Sequence, residues 1–144
     1  MRLTFYSDYS LRLLMYTALR HGRLVTIQEV ANAYGISKNH LMKVAFELGR
    51  KGYLETVRGR GGGLRLARPP EKIGLGEVIR AVEEDFKLVE CFDTDSNGCV
   101  IAGACRLRGA LSRALNAYFA VLDEYTLADL TGRHPVLARI LEAS

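Results

Sequence analysis

Apolar side chains at Leu11, Leu14, Met15, Ala18 and Leu19 recur at helical spacing, after a capping candidate at Ser7 and before a stop at His21-Gly22. The pattern predicts a first amphipathic helix. Thr26-Ile27-Gln28-Glu29 then reads as a capping box, in which the threonine hydroxyl and the glutamate carboxylate each satisfy an orphan amide at a helix start. A short helix to about Tyr34 should follow. Gly35 supplies a turn, Ile36 plugs the core, and Ser37 caps a further helix with Leu41, Val44, Ala45 and Leu48 on one side before Gly49. Two short helices across a tight glycine turn predict a helix-turn-helix.

The period then changes. Tyr53 to Val57 alternates as a strand does, Gly59-Arg60-Gly61-Gly62-Gly63 must turn, and Leu64-Arg65-Leu66 alternates back, which predicts a hairpin with a basic tip. Pro69-Pro70 closes it, and Leu75, Val78, Ile79 and Val82 mark another amphipathic helix before Glu83-Glu84-Asp85. Farther on, Leu107, Leu111, Ala114, Leu115, Tyr118, Phe119 and Leu122 define a long helix with an apolar stripe suited to a second subunit. The expected fold is mainly α with one small β-hairpin. A winged helix-turn-helix DNA-binding domain spans 1–83, a cysteine-bearing loop 84–106, a dimerisation helix with a following short helix 107–130, and a C-terminal segment 131–144.

Composition adds little until charge is located. A chain of 144 residues, 49% hydrophobic and 25% charged, is that of an ordinary folded domain. No run approaches the ~18 to 20 apolar residues that cross a bilayer, and Met1 to Phe5 lacks a secretory layout, so no membrane association and a cytoplasmic location are expected. The net charge is +4, yet between Lys38 and Arg68 eight Lys or Arg face only Glu47 and Glu55, so the remainder is slightly acidic. A basic middle is the footprint of a polyanion-binding face. Residues at the start of the second helix of such a motif meet base edges, which nominates Ser37, Lys38, Asn39, His40 and Lys43. Asn39 can pair with adenine and Lys43 with guanine or phosphate, while Arg58, Arg60 and Arg65 on the hairpin can follow phosphates or enter a narrow minor groove. The glycine-rich tip is not a nucleotide-binding loop, because it lacks Lys-Ser/Thr and leads into a strand.

All three cysteines fall in CFDTDSNGCVIAGAC, from Cys91 to Cys105. Asp93, Asp95, Asn97 and Gly98 fit the opening of a calcium loop, but the position that must deliver a bidentate carboxylate is Ala104. The acidic residues and Asn-Gly make a polar turn more simply. Structural zinc favours closely paired cysteines, which C-x7-C-x5-C lacks, whereas widely spaced thiolates on a flexible loop can surround an iron-sulfur cluster. Three cysteines buried for packing are the plain alternative, set against their crowding into the most polar part of the chain.

Taken together, LTFYSDYSLRLLMY, YGISKNHLMKV, VRGRGGGLRLA, C-x7-C-x5-CRL and the later YTLADL resemble the iron-sulfur winged-helix regulators, their nitric-oxide-sensing branch in particular, over nearly the whole chain. The resemblance implies a homodimer that binds palindromic double-stranded operator DNA, represses genes of nitric oxide detoxification while its cluster is intact, and takes nitric oxide as its signal. Cys91, Cys99 and Cys105 match the cluster cysteines of that group. A related cluster-biogenesis branch uses a histidine three residues after the last cysteine, where this chain has Arg108. The implied cofactor is a [4Fe-4S] cluster, with [2Fe-2S] as the alternative, because the gap between the first two cysteines is longer than in many relatives. Asp8 matches an acidic position from which the partner subunit's first helix can supply a fourth ligand, although an aspartate there is also favoured by the helix dipole. His40, His134 and Glu83 to Asp85 are further candidates. An iron- or redox-sensing regulator is the nearest rival. No nucleophile and base pairing stands out that would indicate an enzyme.

Overall fold

Thr4, and not Ser7, caps the first helix, α1 (Phe5–Leu19), its hydroxyl accepting from the Ser7 N–H at 3.2 Å. The reason is long-range. Thr4 donates its N–H and its hydroxyl to Glu83 Oε1 at 2.7 and 3.1 Å, which fixes how the chain enters the helix. Ser7 instead lies fully buried with Ser10, Leu13, Leu14 and Thr17. Ser10 and Thr17 donate their hydroxyls to the carbonyls of Tyr6 and Leu13 at 2.8 Å, so small polar side chains line a packed face without unpaired groups. Leu11, Met15 and Leu19 of the predicted stripe are only partly buried. The computed structural model describes residues 2–132 and 135–142.

The helix-turn-helix forms where its caps predict. Thr26 and Glu29 make the reciprocal capping box at the start of α2 (Ile27–Tyr34), and Gly35 ends it at φ 64°, a left-handed conformation that glycine adopts without steric cost. Ile36 is buried, and α3 (Lys38–Arg50) buries Leu41, Val44, Ala45 and Leu48. Ser37 occupies the N-cap position of α3, but its side chain makes no capping bond.

Strands β1 (Leu54–Val57) and β2 (Gly63–Leu66) pair antiparallel, with Leu54 opposite Leu66 and Glu55 opposite Arg65. Val25 lies alongside as a short third rung, exchanging backbone bonds with Leu64 at 2.9 and 2.7 Å. That close approach explains Gly63, where a Cβ would stand 2.7 Å from the Val25 carbonyl oxygen. A 3₁₀ turn at Pro70–Lys72 leads into α4 (Leu75–Val82).

Residues 83–105 follow as irregular chain around one 3₁₀ turn, Glu90–Phe92. Helix α5 (Arg106–Asp123) then runs for 18 residues, of which Phe119 is buried, while Leu107 and Val121 are 63% and 54% exposed. Helix α6 (Leu127–Thr131) returns to α1, and α7 (Pro135–Glu142), in a segment where the apolar pattern predicted no element, packs on α2. Leu127 and Leu141 join the core of the helix-turn-helix. Backbone bonds from Leu75 N–H to Tyr125 and from Leu127 N–H to Ile73, both 2.8 Å, fasten α6 to the start of α4. The architecture is a mainly α winged helix with one hairpin, as the pattern predicts.

Candidate nucleic-acid interface and cysteine loop

The buried side of α3 leaves Ser37, Lys38, Asn39, His40 and Lys43 on the surface, and Arg58, Arg60 and Arg65 are exposed on the hairpin. Their electrostatic roles differ. Arg65 Nε donates to Glu55 Oε2 at 2.7 Å across the strand pair. Arg50 pairs with Glu47 at 3.1 Å and Arg68 with Glu77 at 2.7 Å. Among the described residues no carboxylate lies within ion-pair distance of Lys38, Lys43, Arg58 or Arg60, which leaves these four cations available to an external polyanion. His40 sits beside α1, its ring centroid 6.3 Å from that of Tyr9.

The base of the wing is pinned to α4. Tyr53 donates its hydroxyl to Glu77 Oε1 at 3.1 Å, and the Arg68 guanidinium lies 4.9 Å from the Tyr53 ring. Burial, with the Glu77 charge behind it, pushes the Tyr53 phenol up to about 12.

In the cysteine loop the three thiols are free, Cys91 buried and Cys99 and Cys105 half-buried. Side chains with acceptor oxygens organise the backbone between them. Glu90 accepts from the Gly98 N–H at 2.8 Å, Asn97 from Cys99 at 3.1 Å, and Asp93 from Asp95 at 3.1 Å. Lys87 Nζ grips the other Asp93 oxygen at 2.7 Å, and this bond, with the Asp95 N–H, holds the carboxyl down at about 2. The acidic segment is therefore a polar turn tied to a lysine, which disfavours calcium. Among the described residues no three His, Cys, Asp or Glu side chains gather around a point that a single metal ion could occupy. Three soft, unpaired thiols on one loop still suit, by donor chemistry, an iron-sulfur cluster, which is larger than an ion.

The other ligand candidates are engaged in different ways. Asp8 is held by Arg12 from one turn along α1, with Nε to Oδ1 at 3.0 Å and a terminal nitrogen to Oδ2 at 2.7 Å, both side chains about two-fifths exposed at 42% and 41%. Glu83 accepts from Thr4, and Asp85 accepts from the Lys87 N–H at 2.9 Å. His134 lies outside the described residues.

The loop is anchored by contacts that the sequence pattern does not single out. Arg80 donates both terminal nitrogens to Asp123 at 2.6 and 2.7 Å and lies 4.2 Å from the Phe119 ring. Phe86 stands edge-on to the same ring, centroids 4.6 Å apart. The loop is thus joined near its start to α1 through Glu83 and to α5 through Phe86. These partners lie far apart in sequence, and no local signal marks them.

Comparison with known proteins accords with this geometry. The Rrf2 family model, described as an iron-dependent transcriptional regulator, matches residues 3–133. The chain is 53% identical over 143 residues to the HTH-type transcriptional regulator NsrR of Bacillus subtilis (strain 168), across 99% of this chain and 98% of that protein. It is 48% identical over 143 residues to NsrR of Geobacillus kaustophilus (strain HTA426), across 99% and 97%. Among solved structures it is similar to CymR (YrzC), the global cysteine regulator of B. subtilis, with a TM-score of 0.74 and 24% identity over 93% of this chain and 98% of that one. It is also similar to T. potens IscR, with a TM-score of 0.73 and 24% identity over 90% and 85%. These two structures bear on the fold alone.

Proposed function

Because this chain belongs to the Rrf2 family of transcriptional regulators, we propose that it is a nitric-oxide-responsive repressor that binds operator DNA as a homodimer holding a [4Fe-4S] cluster. Like its relatives it is a DNA-binding regulator of transcription and not an enzyme. Among the described residues no helix is long and apolar enough to cross a membrane. The proposed place of action is the cytoplasm.

One observation carries the proposal: the loop bearing the three free thiols is tied near its start both to the winged head, through Glu83, and to α5, through Phe86. Cys91, Cys99 and Cys105 would hold the cluster, and Asp8 contributed across the dimer would fill the fourth position. A hard carboxylate is a weak, exchangeable ligand among soft thiolates. When bound, the cluster supplies iron at which nitric oxide can act as a ligand.

The protein's own part is mechanical. Glu83 sets the entry of α1 through Thr4, and α1 packs on α3, the recognition helix. Phe86 and Arg80 seat the C-terminal half of α5 through Phe119 and Asp123. The exposed stripe of α5 is the proposed contact with the second subunit, so the same loop bears on both the reading head and the dimer axis. Dimeric helix-turn-helix proteins read half-sites about one DNA turn apart, and small rotations of the heads break that register. A coupling of about 1 to 3 kcal/mol lowers operator affinity roughly 5- to 150-fold.

The test is titration of anaerobically prepared protein with nitric oxide, on a duplex that the protein itself selects from a random library. Operator binding should fall in step with the cluster's absorbance, and Mössbauer spectra report its nuclearity. Unchanged binding would rule the switch out. Release by peroxide or iron depletion, but not by nitric oxide, would instead assign an iron- or redox-sensing regulator with a [2Fe-2S] centre.

A further inference from the structure

The outward side of α3 is not uniformly polar. Asn39, Met42, Lys43 and Phe46 are all exposed and follow the i, i+3, i+4, i+7 spacing that places side chains along one face of a helix. Leu41, Val44, Ala45 and Leu48 hold the opposite face in the core. Met42 is 53% exposed and Phe46 66% exposed, so two large apolar side chains share the row with Asn39 and Lys43, groups suited to hydrogen-bonding bases. The core does not use these exposed surfaces. Phosphate does not reward them either, since backbone contacts need cations or donors.

The major groove has one apolar feature, the C5-methyl group of thymine. We propose that Met42 and Phe46 are specificity-determining contacts that pack on thymine methyl groups of the operator, an inference that rests on reading α3 as the recognition helix. The two side chains are one turn apart, about 6 Å along the helix axis. That separation spans about two base-pair steps of 3.4 Å, so each half-site should carry two thymines about that far apart, near the base read by Asn39. Charge argues for DNA over a second copy of the chain. Lys38 lies next to Asn39 in sequence and Lys43 lies within the row, neither with a carboxylate partner among the described residues, and Arg58 and Arg60 on the wing are likewise exposed and without one. A second copy would bring an equally basic row against it, whereas DNA brings phosphates.

The experiment uses full-length protein prepared without air and a duplex that it has selected from a random library. Each thymine is replaced in turn by deoxyuridine, which removes the methyl group alone. Wild-type affinity should fall about four-fold at one or two positions per half-site, the worth of one methyl-sized apolar group. Met42→Ala and Phe46→Ala should each abolish the distinction at one position, with an unchanged salt slope, and Phe46→Leu should restore part of it. Circular dichroism should show both alanine variants folded, because neither side chain supports the core. Indifference to every deoxyuridine, or a loss that persists undiminished in both variants, would overturn the inference. So would weaker dimerisation in either variant, which would make the face a contact between copies. Failure of the wild type to select any duplex would overturn the regulatory reading itself.

Discussion

Arg80 and Asp123, on α4 and at the end of α5, form a two-pronged ion pair at 2.6 and 2.7 Å with the Phe119 ring packed beneath the guanidinium. This pair is the joint between head and long helix. Arg80→Ala should speed amide exchange in the C-terminal half of α5 while leaving α3 protected. Gly76→Ala should act in the same direction, because a Cβ at Gly76 would collide with the Asp123 carboxylate. Hydrogen exchange resolved by helix checks this, and equal protection in wild type and both variants would show that the joint does not hold α5.

The proposed function gives Asp8 a second role, as a cluster ligand, beyond its pair with Arg12. Both side chains of that pair are substantially exposed, so Asp8→Asn should change the free energy of unfolding by less than about 1 kcal/mol. The same variant should alter the absorption spectrum of the cluster-loaded protein and its rate of reaction with nitric oxide. Spectra and rates identical to wild type would remove Asp8 as a ligand.

Base reading and phosphate contact separate by their salt dependence. Asn39→Ala should cost about 1 to 3 kcal/mol on the selected operator and relax preference at a single position. Arg58→Ala and Arg60→Ala should weaken binding to all sequences alike, each lowering the salt slope by about one. Binding isotherms at several salt concentrations distinguish the two. A wing variant that changed base preference would show that the wing reads sequence.

Tyr53 makes stability sensitive to alkali. Its phenol ionises at about 12 in the fold, because burial and Glu77 favour the neutral form, against an ordinary value of 10.0. Its contribution is therefore complete below pH 10 and is lost as pH rises to about 12. Denaturant midpoints measured across that window should fall more steeply for wild type than for Tyr53→Phe, and parallel curves would contradict the assignment.

What the sequence made legible was local. Thr26 and Glu29 announced α2 because both halves of the capping box lie within one turn, and Gly35 announced the turn because it must adopt a left-handed φ. The α1 cap lies at Thr4 and not at Ser7, and Thr4 is held in place by Glu83, a partner 79 residues away. The buried face of α1 departs from the apolar pattern because Ser10 and Thr17 are polar by type, and an apolar count cannot see that their hydroxyls return to the helix's own backbone. Helix α7 lies where the apolar pattern predicts no element, although Leu141 enters the core from it. In the candidate site, the exposed polar start of α3 and the grouping of the three free cysteines are legible in the sequence, whereas Arg80, Asp123, Phe86 and Phe119 meet only through the tertiary fold.

The central claim is that the arrangement of the three thiols governs how tightly the head holds its operator. The most direct measurement is operator affinity of the variant carrying Cys91→Ser, Cys99→Ser and Cys105→Ser beside wild type, both prepared without air and measured before and after nitric oxide. The account predicts affinity for the variant lowered by roughly 5- to 150-fold and insensitive to the gas. Binding as tight as wild type, still released by nitric oxide, would contradict it.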